Sequence, residues 1–240
     1  MKTITKKENV LKFTAEIEES LLNAIRRQVN QIPILAIDEV EISKNDSPLY
    51  DETVAHRIGL IPLKMDKSYN SKSDIKFKLK VKKEGYVYSE ELKGGKGVVY
   101  DKIPITLLNK GQEMGLVASA KVSNGDKHSK HSPGALYYRN IAQIKLDKNC
   151  SKEIIASCPR NIFEEKNNNI VIENITNCDL CGSCVEWAKK SGKKEAVEIK
   201  NSKELLITIE SFGQISSEEI FKKAIESLKK ELVAIPKQTK

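Results

Sequence analysis

Long apolar runs, aromatic residues and histidines are all scarce in this chain, and each scarcity excludes something. The longest apolar stretches, such as Ile32–Ile37 and Leu60–Leu63, fall far short of the ~20 residues a membrane span requires. Residues 1–7 carry no apolar core and no small-residue cleavage site, so no secretory signal is read there and a cytoplasmic setting is expected. Aromatics make up 5% against 39% hydrophobic residues in all, which points to a core of Ile, Leu and Val. Nothing resembles a Gly-rich phosphate loop, a nucleophile elbow or a zincin helix. The common signatures of nucleotide hydrolysis, serine hydrolysis and zinc proteolysis are therefore missing.

The length of 240 residues suits one large domain or two to three small ones. Net charge is +8, with basic clusters at Lys6-Lys7, Lys76–Lys83, Lys189–Lys194 and Lys237–Lys240. Most basic side chains of the chain stand beside acids, as in Lys152-Glu153 and Lys229-Lys230-Glu231, so a solvated lysine-rich surface is the first reading. A basic face docked on a polyanionic or acidic partner is the second.

Four of the five cysteines form one pattern: Cys158-Pro159, then Cys178, Cys181 and Cys184 spaced as C-x2-C-x2-C. In two-cluster ferredoxins such a run continues to a Cys-Pro whose thiolate ligates the other cluster. Here the position for that cysteine is Ala188, and a first run upstream of Cys158 would fall on Lys148, Ser151 and Ile154. One complete ligand set remains. Soft thiolates around a tight Gly182-Ser183 turn favour one iron–sulfur cluster per chain, either [4Fe-4S] or [3Fe-4S]. Zinc stays an alternative, although its structural sites usually use two separated cysteine pairs. Disulfides fit a reducing compartment poorly. A single cluster in a short segment reads as a structural cross-link, with electron transfer as the rival role. Cys150 has no partner at a sensible spacing and reads as a buried thiol.

The two ends of the chain mirror each other. Leu21, Leu22, Ile25, Val29 and Ile32 mark one face of a helix over 18–31, stopped by Pro33, and Leu35–Ile42 follows as a strand. Near the other end, Glu204–Glu210 alternates as a strand, and Ser216-x-x-Glu219 is a capping box. It opens a helix with Ile220, Phe221, Ala224, Ile225, Leu228, Leu232 and Val233 on one stripe, ended by Pro236. That stripe exceeds what one thin sheet covers, so the expectation is an αβ domain made from both ends that pairs with a similar partner. Between the ends, Phe77–Val81 and Gly85–Tyr88 read as strands, with turns at Gly94–Gly97, Asn124–Asp126 and Asn167–Asn169. The expected fold class is α+β. A two-ended αβ dimerisation domain (1–45 and 196–240) carries a β-rich insertion (46–150) and a ferredoxin-like iron–sulfur insertion (151–195).

The segment 45–63 reads as a short helix started by Ser47-Pro48, with Asp51 and Glu52 in its first turn and Gly59 at its end. Glu52 and His56 lack a third ligand nearby in sequence. His128 and His131 lie in a polar loop, and neither pair reads as a metal site.

Several stretches together resemble a known family: Asn23–Arg27, Ile34–Glu39, Ser47–Leu63, the loop His128-Ser-Lys-His-Ser-Pro133 and Glu210–Gly213. They are similar to the D-subunit family of archaeal DNA-directed RNA polymerase, the counterpart of the third-largest subunit of eukaryotic polymerase II and of bacterial α. His131 stands where the family usually has Trp or Phe. The resemblance implies a non-catalytic assembly subunit of a nucleotidyltransferase complex. Its partners would be subunit L as heterodimer mate, the large subunits, and the small subunits N and P. DNA would be met only through the assembled polymerase, and no membrane is involved. In some archaeal members a ferredoxin-like cluster domain sits at this position, so Cys158, Cys178, Cys181 and Cys184 would be its ligands. A ferredoxin-like electron carrier and a basic nucleic-acid-binding module are the readings from other classes.

Overall fold

The computed structural model describes residues 2–147, 150–167, 169–192 and 196–238. Its strands are β1 Lys2–Lys7, β2 Val10–Glu16, β3 Ile34–Asn45, β4 Asp74–Val81, β5 Gly85–Tyr88 and β6 Lys93–Gly94. There follow β7 Pro104–Leu108, β8 Met114–Ser123, β9 Gly134–Leu146, β10 Phe163–Lys166, β11 Asn169–Ile172 and β12 Val197–Ser211. The helices are α1 Glu19–Gln28, α2 Asp51–Gly59, α3 Ile154–Ser157, α4 Ser183–Lys190 and α5 Ser217–Gln238. Two compact units result. The first holds residues up to 5, 12–18 and 137–208; the second holds 6–11, 19–136 and the chain from 209 on.

The first unit takes most of a four-stranded sheet ordered β1-β2-β12-β9, so strands from both ends of the chain meet in it. It also holds the hairpin β10–β11, paired from Phe163↔Ile172 to Lys166↔Asn169. Asn167 enters that turn with φ at 51°, a left-handed conformation that Asn tolerates. Asn168, the middle of the expected turn, lies outside the described residues, as do Lys193, Lys194 and the last two residues of the basic tail. The core joins Ile154, Ile162, Phe163, Ala188 and Val197 to three cysteines.

The second unit is built on an antiparallel sheet ordered β3-β8-β4-β6. Strand β4 shows how pattern becomes structure: Phe77 and Leu79 are buried, while Lys76, Lys78 and Lys80 between them face water. Helix α2 packs Val54 and Ile58, four residues apart, into a core with Leu35, Ile37, Leu116 and Ile105. In α1 the buried residues Leu22 and Ile25 are three apart, and Gln28 completes the face.

The structure groups two segments differently from the sequence reading. Strand β3 pairs with β8 from Ile34↔Ser123 to Asn45↔Met114, so residues 34–45 belong to the β-rich sheet and not to the terminal one. It lies at the edge of that sheet with its first four residues buried, and Leu35 and Ile37 among them join the core around Phe77 and Leu116. Helix α5 runs through Pro236 to Gln238 instead of ending before it. Proline's fixed φ is helical, and in the last turn it removes only one backbone donor. Among the described residues no helix is long and apolar enough to cross a membrane.

Candidate functional site

The second unit carries two surfaces with functional character. The first is the face shared by α1 and α5. Ser216 opens α5 as the capping box anticipated: its Oγ accepts the Glu219 N–H at 3.3 Å. Ile220 and Ala224 are fully buried, Phe221, Ile225 and Leu228 are half-buried, and the stripe then emerges into solvent. Leu232 and Val233 are 55% and 64% exposed, and Leu21 on α1 is 47% exposed. The two helices are cross-linked by Gln28. Its Nε2 donates to Glu231 Oε2 at 2.6 Å, and its Oε1 accepts from Ser227 Oγ at 2.7 Å. A polar clamp therefore sets the helix pair, while the apolar continuation of the stripe is left uncovered.

The second surface is a cleft of about 410 Å³ lined by Leu60, Pro62, Tyr100, Ile103, Lys130 and Phe212. It brings together three segments singled out in the sequence: 47–63, the 124–134 loop and 210–213. Each has a local reason for its shape. Before α2, Asn45 accepts from the Ser47 hydroxyl at 2.7 Å and donates to Asp51 at 2.7 Å. This turn, rather than Ser47-Pro48 itself, leads into the helix, which starts at Asp51. Arg57 Nη2 then donates to the Pro104 carbonyl at 2.5 Å. In the loop, the Gly125 N–H reaches the Asn30 carbonyl at 2.7 Å, and Lys130 pairs with Asp38 at 3.3 Å. Gly213 has φ at 98°, and a Cβ there would stand 2.4 Å from Val99 Cγ1, so only glycine fits the turn beneath Phe212.

In the first unit, the sulfur-bearing side chains come from three places. Cys158 ends α3, Cys178 follows the 3-10 turn Ile175–Asn177, and Cys184 lies in the first turn of α4. Cys158, Cys178 and Cys184 are buried in one apolar core, against which Cys150 packs half-buried; Cys181 is exposed. Burial pushes the Cys178 and Cys184 thiols up, and the sulfurs around them, Cys158 beside both, push the same way. Backbone amides work in the opposite sense. The Leu180 N–H donates to the Cys178 sulfur, and the Val185 and Cys184 N–H groups face the Cys184 sulfur. Leu180 takes the left-handed φ of 60° there, a conformation costing about 1–2 kcal/mol for a residue with a Cβ. Among the described residues no three His, Cys, Asp or Glu side chains close tightly enough to hold a single metal ion. Glu52 and His56 share α2, and His128 and His131 stand at the two ends of the short 3-10 turn Ser129–His131.

Comparison with known proteins bears on the helix pair and its surroundings. Residues 14–232 match the profile of the RNA polymerase Rpb3/Rpb11 dimerisation domain. The chain belongs to this Rpb3/Rpb11 family. It is 35% identical over 225 residues to DNA-directed RNA polymerase subunit Rpo3 of Methanosphaera stadtmanae, covering 83% of either chain. It is 30% identical over 231 residues to subunit Rpo3 of Archaeoglobus fulgidus, covering 88% of this chain and 86% of that one. DNA-directed RNA polymerase II subunit rpb3 of Dictyostelium discoideum is 29% identical over 277 residues, covering 97% and 92%. As a family member it is a non-catalytic assembly subunit of DNA-directed RNA polymerase, and the nucleotidyltransferase activity belongs to the complex.

Within this Rpb3/Rpb11 member, the sequence reading missed the Gln28 clamp and the ion pair Arg160–Asp179, 2.9 Å from Nε to Oδ2. The only advance signal for the ion pair was an opposite charge just after each of Cys158 and Cys178. The buried placement of His131, 3% exposed with Nδ1 3.0 Å from the Ile34 carbonyl, was also missed. Burial lowers the His131 pKa below 6.5, partly opposed by that hydrogen bond, so the ring sits neutral and donates from Nδ1. The linkage has a definite sign. Above pH 6.5 its contribution is fully present, and as pH falls from 6.5 through the lower folded value it is lost, because the unfolded chain takes the proton first. His131→Phe is therefore expected to flatten the fall in Tm between pH 7.5 and 5. The check is thermal melts of both proteins across that range. Parallel pH profiles would show that His131 does not carry the effect.

Proposed function

We propose that the chain pairs with the small subunit L through α1 and α5 and presents the pair to the large polymerase subunits. The observation that carries this reading is the emergence of the α5 stripe at Leu232 and Val233, beside exposed Leu21. An uncovered apolar helix face on a chain of this dimerisation family is supported as the contact with a similar partner. The Leu60–Phe212 cleft is then a docking place for a large subunit, since it gathers exposed aromatic and aliphatic side chains around one lysine. Subunits N and P join the same platform, and DNA is met only through the assembled enzyme. Phe212→Asp, at a side chain 46% exposed, is expected to lower recovery of the large subunits at least tenfold while leaving the subunit L complex intact. The measurement is affinity purification of reconstituted complexes. Full recovery of the large subunits with Phe212→Asp would remove the cleft from the interface.

Cys158, Cys178, Cys181 and Cys184 are proposed to hold one iron–sulfur cluster, [4Fe-4S] or [3Fe-4S]. The donor set fits: four thiols, three of them in one apolar core, with backbone N–H groups aimed at two of the sulfurs. A bound cation reverses the upward push on these thiols, because thiolates are its ligands. When bound, the cluster supplies a cross-link between α3, the 178–184 turn and α4. Binding energy of this kind is folding energy for a segment with a small core. This favours the structural role over the electron carrier. Iron and sulfide analysis with electron paramagnetic resonance, on anaerobically purified chain, tests it.

A further inference from the structure

We propose that the Arg160–Asp179 ion pair is the latch that holds the Cys158 loop against the Cys178–Cys184 turn and governs how readily iron leaves the site. The inference rests on the reading of the four cysteines as cluster ligands. Cys178, Cys181 and Cys184 lie within seven consecutive residues, but Cys158 comes from twenty positions upstream. The apolar core joins Cys158 to Cys178 and Cys184 from beneath, and at the surface a polar contact spans the same two segments. Arg160 lies two residues after Cys158, and Asp179 directly follows Cys178. Arg160 Nε donates to Asp179 Oδ2 at 2.9 Å, so the ion pair joins the two ligand-bearing segments directly.

The same carboxylate reaches the exposed ligand. Asp179 accepts a hydrogen bond from the Cys181 N–H, and it is held below the usual carboxylate range chiefly by Arg160. Cys181 is the exposed member of the set; the other three are buried. Guanidinium, carboxylate and the Cys181 turn thus form one chain of contacts at the open corner of the site. Breaking the ion pair frees the Cys158 loop and the Cys181 turn together, while the apolar core beneath is untouched. Arg160→Ala and Asp179→Asn act on the two ends of the same contact, so their effects are not additive.

The expected size is modest, because exposed ion pairs typically contribute little. In anaerobically purified full chain bound to its partner subunit, Arg160→Ala and Asp179→Asn are each expected to lose iron to a chelator about two- to fivefold faster. The double exchange Arg160→Asp with Asp179→Arg is expected to restore the slow rate. Raising ionic strength is expected to bring the wild-type rate toward that of the single variants, because salt screens exposed charges. Lys152→Ala breaks the Lys152–Glu165 pair, 2.6 Å apart in the same unit and of similar exposure, and serves as the control. Iron-release rates of Arg160→Ala equal to wild type, or matched by Lys152→Ala, would overturn the latch. So would a charge exchange that fails to restore the rate. A wild-type chain holding neither iron nor sulfide would overturn the cluster reading and the latch with it.

Discussion

Leu228→Asp is expected to weaken capture of subunit L by about a hundredfold or more, and Ile225→Asp to do the same. Both side chains are half-buried on α5, between the buried Ile220 and Ala224 and the exposed Leu232 and Val233. The proposed pairing would cover them fully, and a carboxylate there would be buried without a partner. Such a charge costs about 3–5 kcal/mol, and each 1.4 kcal/mol is tenfold in affinity. Leu232→Asp separates the interface from the fold, because a side chain already 55% exposed adds little to the free chain's own stability. It should also lose the partner while leaving the melting temperature and the cluster absorbance unchanged. Pull-down of subunit L by each variant decides the matter, and undiminished capture would remove α5 from the interface.

Cys184→Ser is expected to have the second large effect, on the other unit. Cys184 is buried among Ile154, Phe163 and Ala188, so the substitution would remove a proposed ligand from the middle of the core rather than from its rim. Iron content is expected to fall to near zero, and the segment from 151 to 192 to become sensitive to protease. The second unit, with its own core around Phe77, Leu116 and Val54, should keep its fold. Cys150→Ser, at a half-buried position packed on the same core, is expected to keep the iron. Retained iron in Cys184→Ser, or loss of iron in Cys150→Ser, would show that the ligand set has been read wrongly.

Local chemistry was the legible part of this sequence. The alternation of β4, the acids and Gly59 that bound α2, the Ser216 capping box and the cysteine spacing all act over a few residues. Each appears as a strand, a helix, a cap or, for three of the four cysteines, side chains that share one core. Long-range pairing was not legible. Strand β3 was grouped with the chain's ends, but its partner β8 begins at Met114, about seventy residues on, and no short-range pattern encodes that choice. Strand β12 begins at Val197, earlier than the alternation at Glu204–Glu210 suggested, because its first part is rich in charged residues. The same limit hid the Gln28–Glu231 and Arg160–Asp179 contacts, which are ordinary polar residues until the fold brings them together. His131 read as part of a polar loop, and only the fold shows its ring buried against the Ile34 carbonyl.

On the function proposed above, this chain works as one half of a heterodimer rather than as a free carrier of electrons. The most direct test is anaerobic co-expression with subunit L, followed by size-exclusion chromatography with light scattering and redox titration of the purified species. The expected result is a one-to-one complex that persists through purification and carries iron and sulfide on the larger chain. Isolation of a free monomer, reduced reversibly at a physiological potential with no affinity for subunit L, would contradict it.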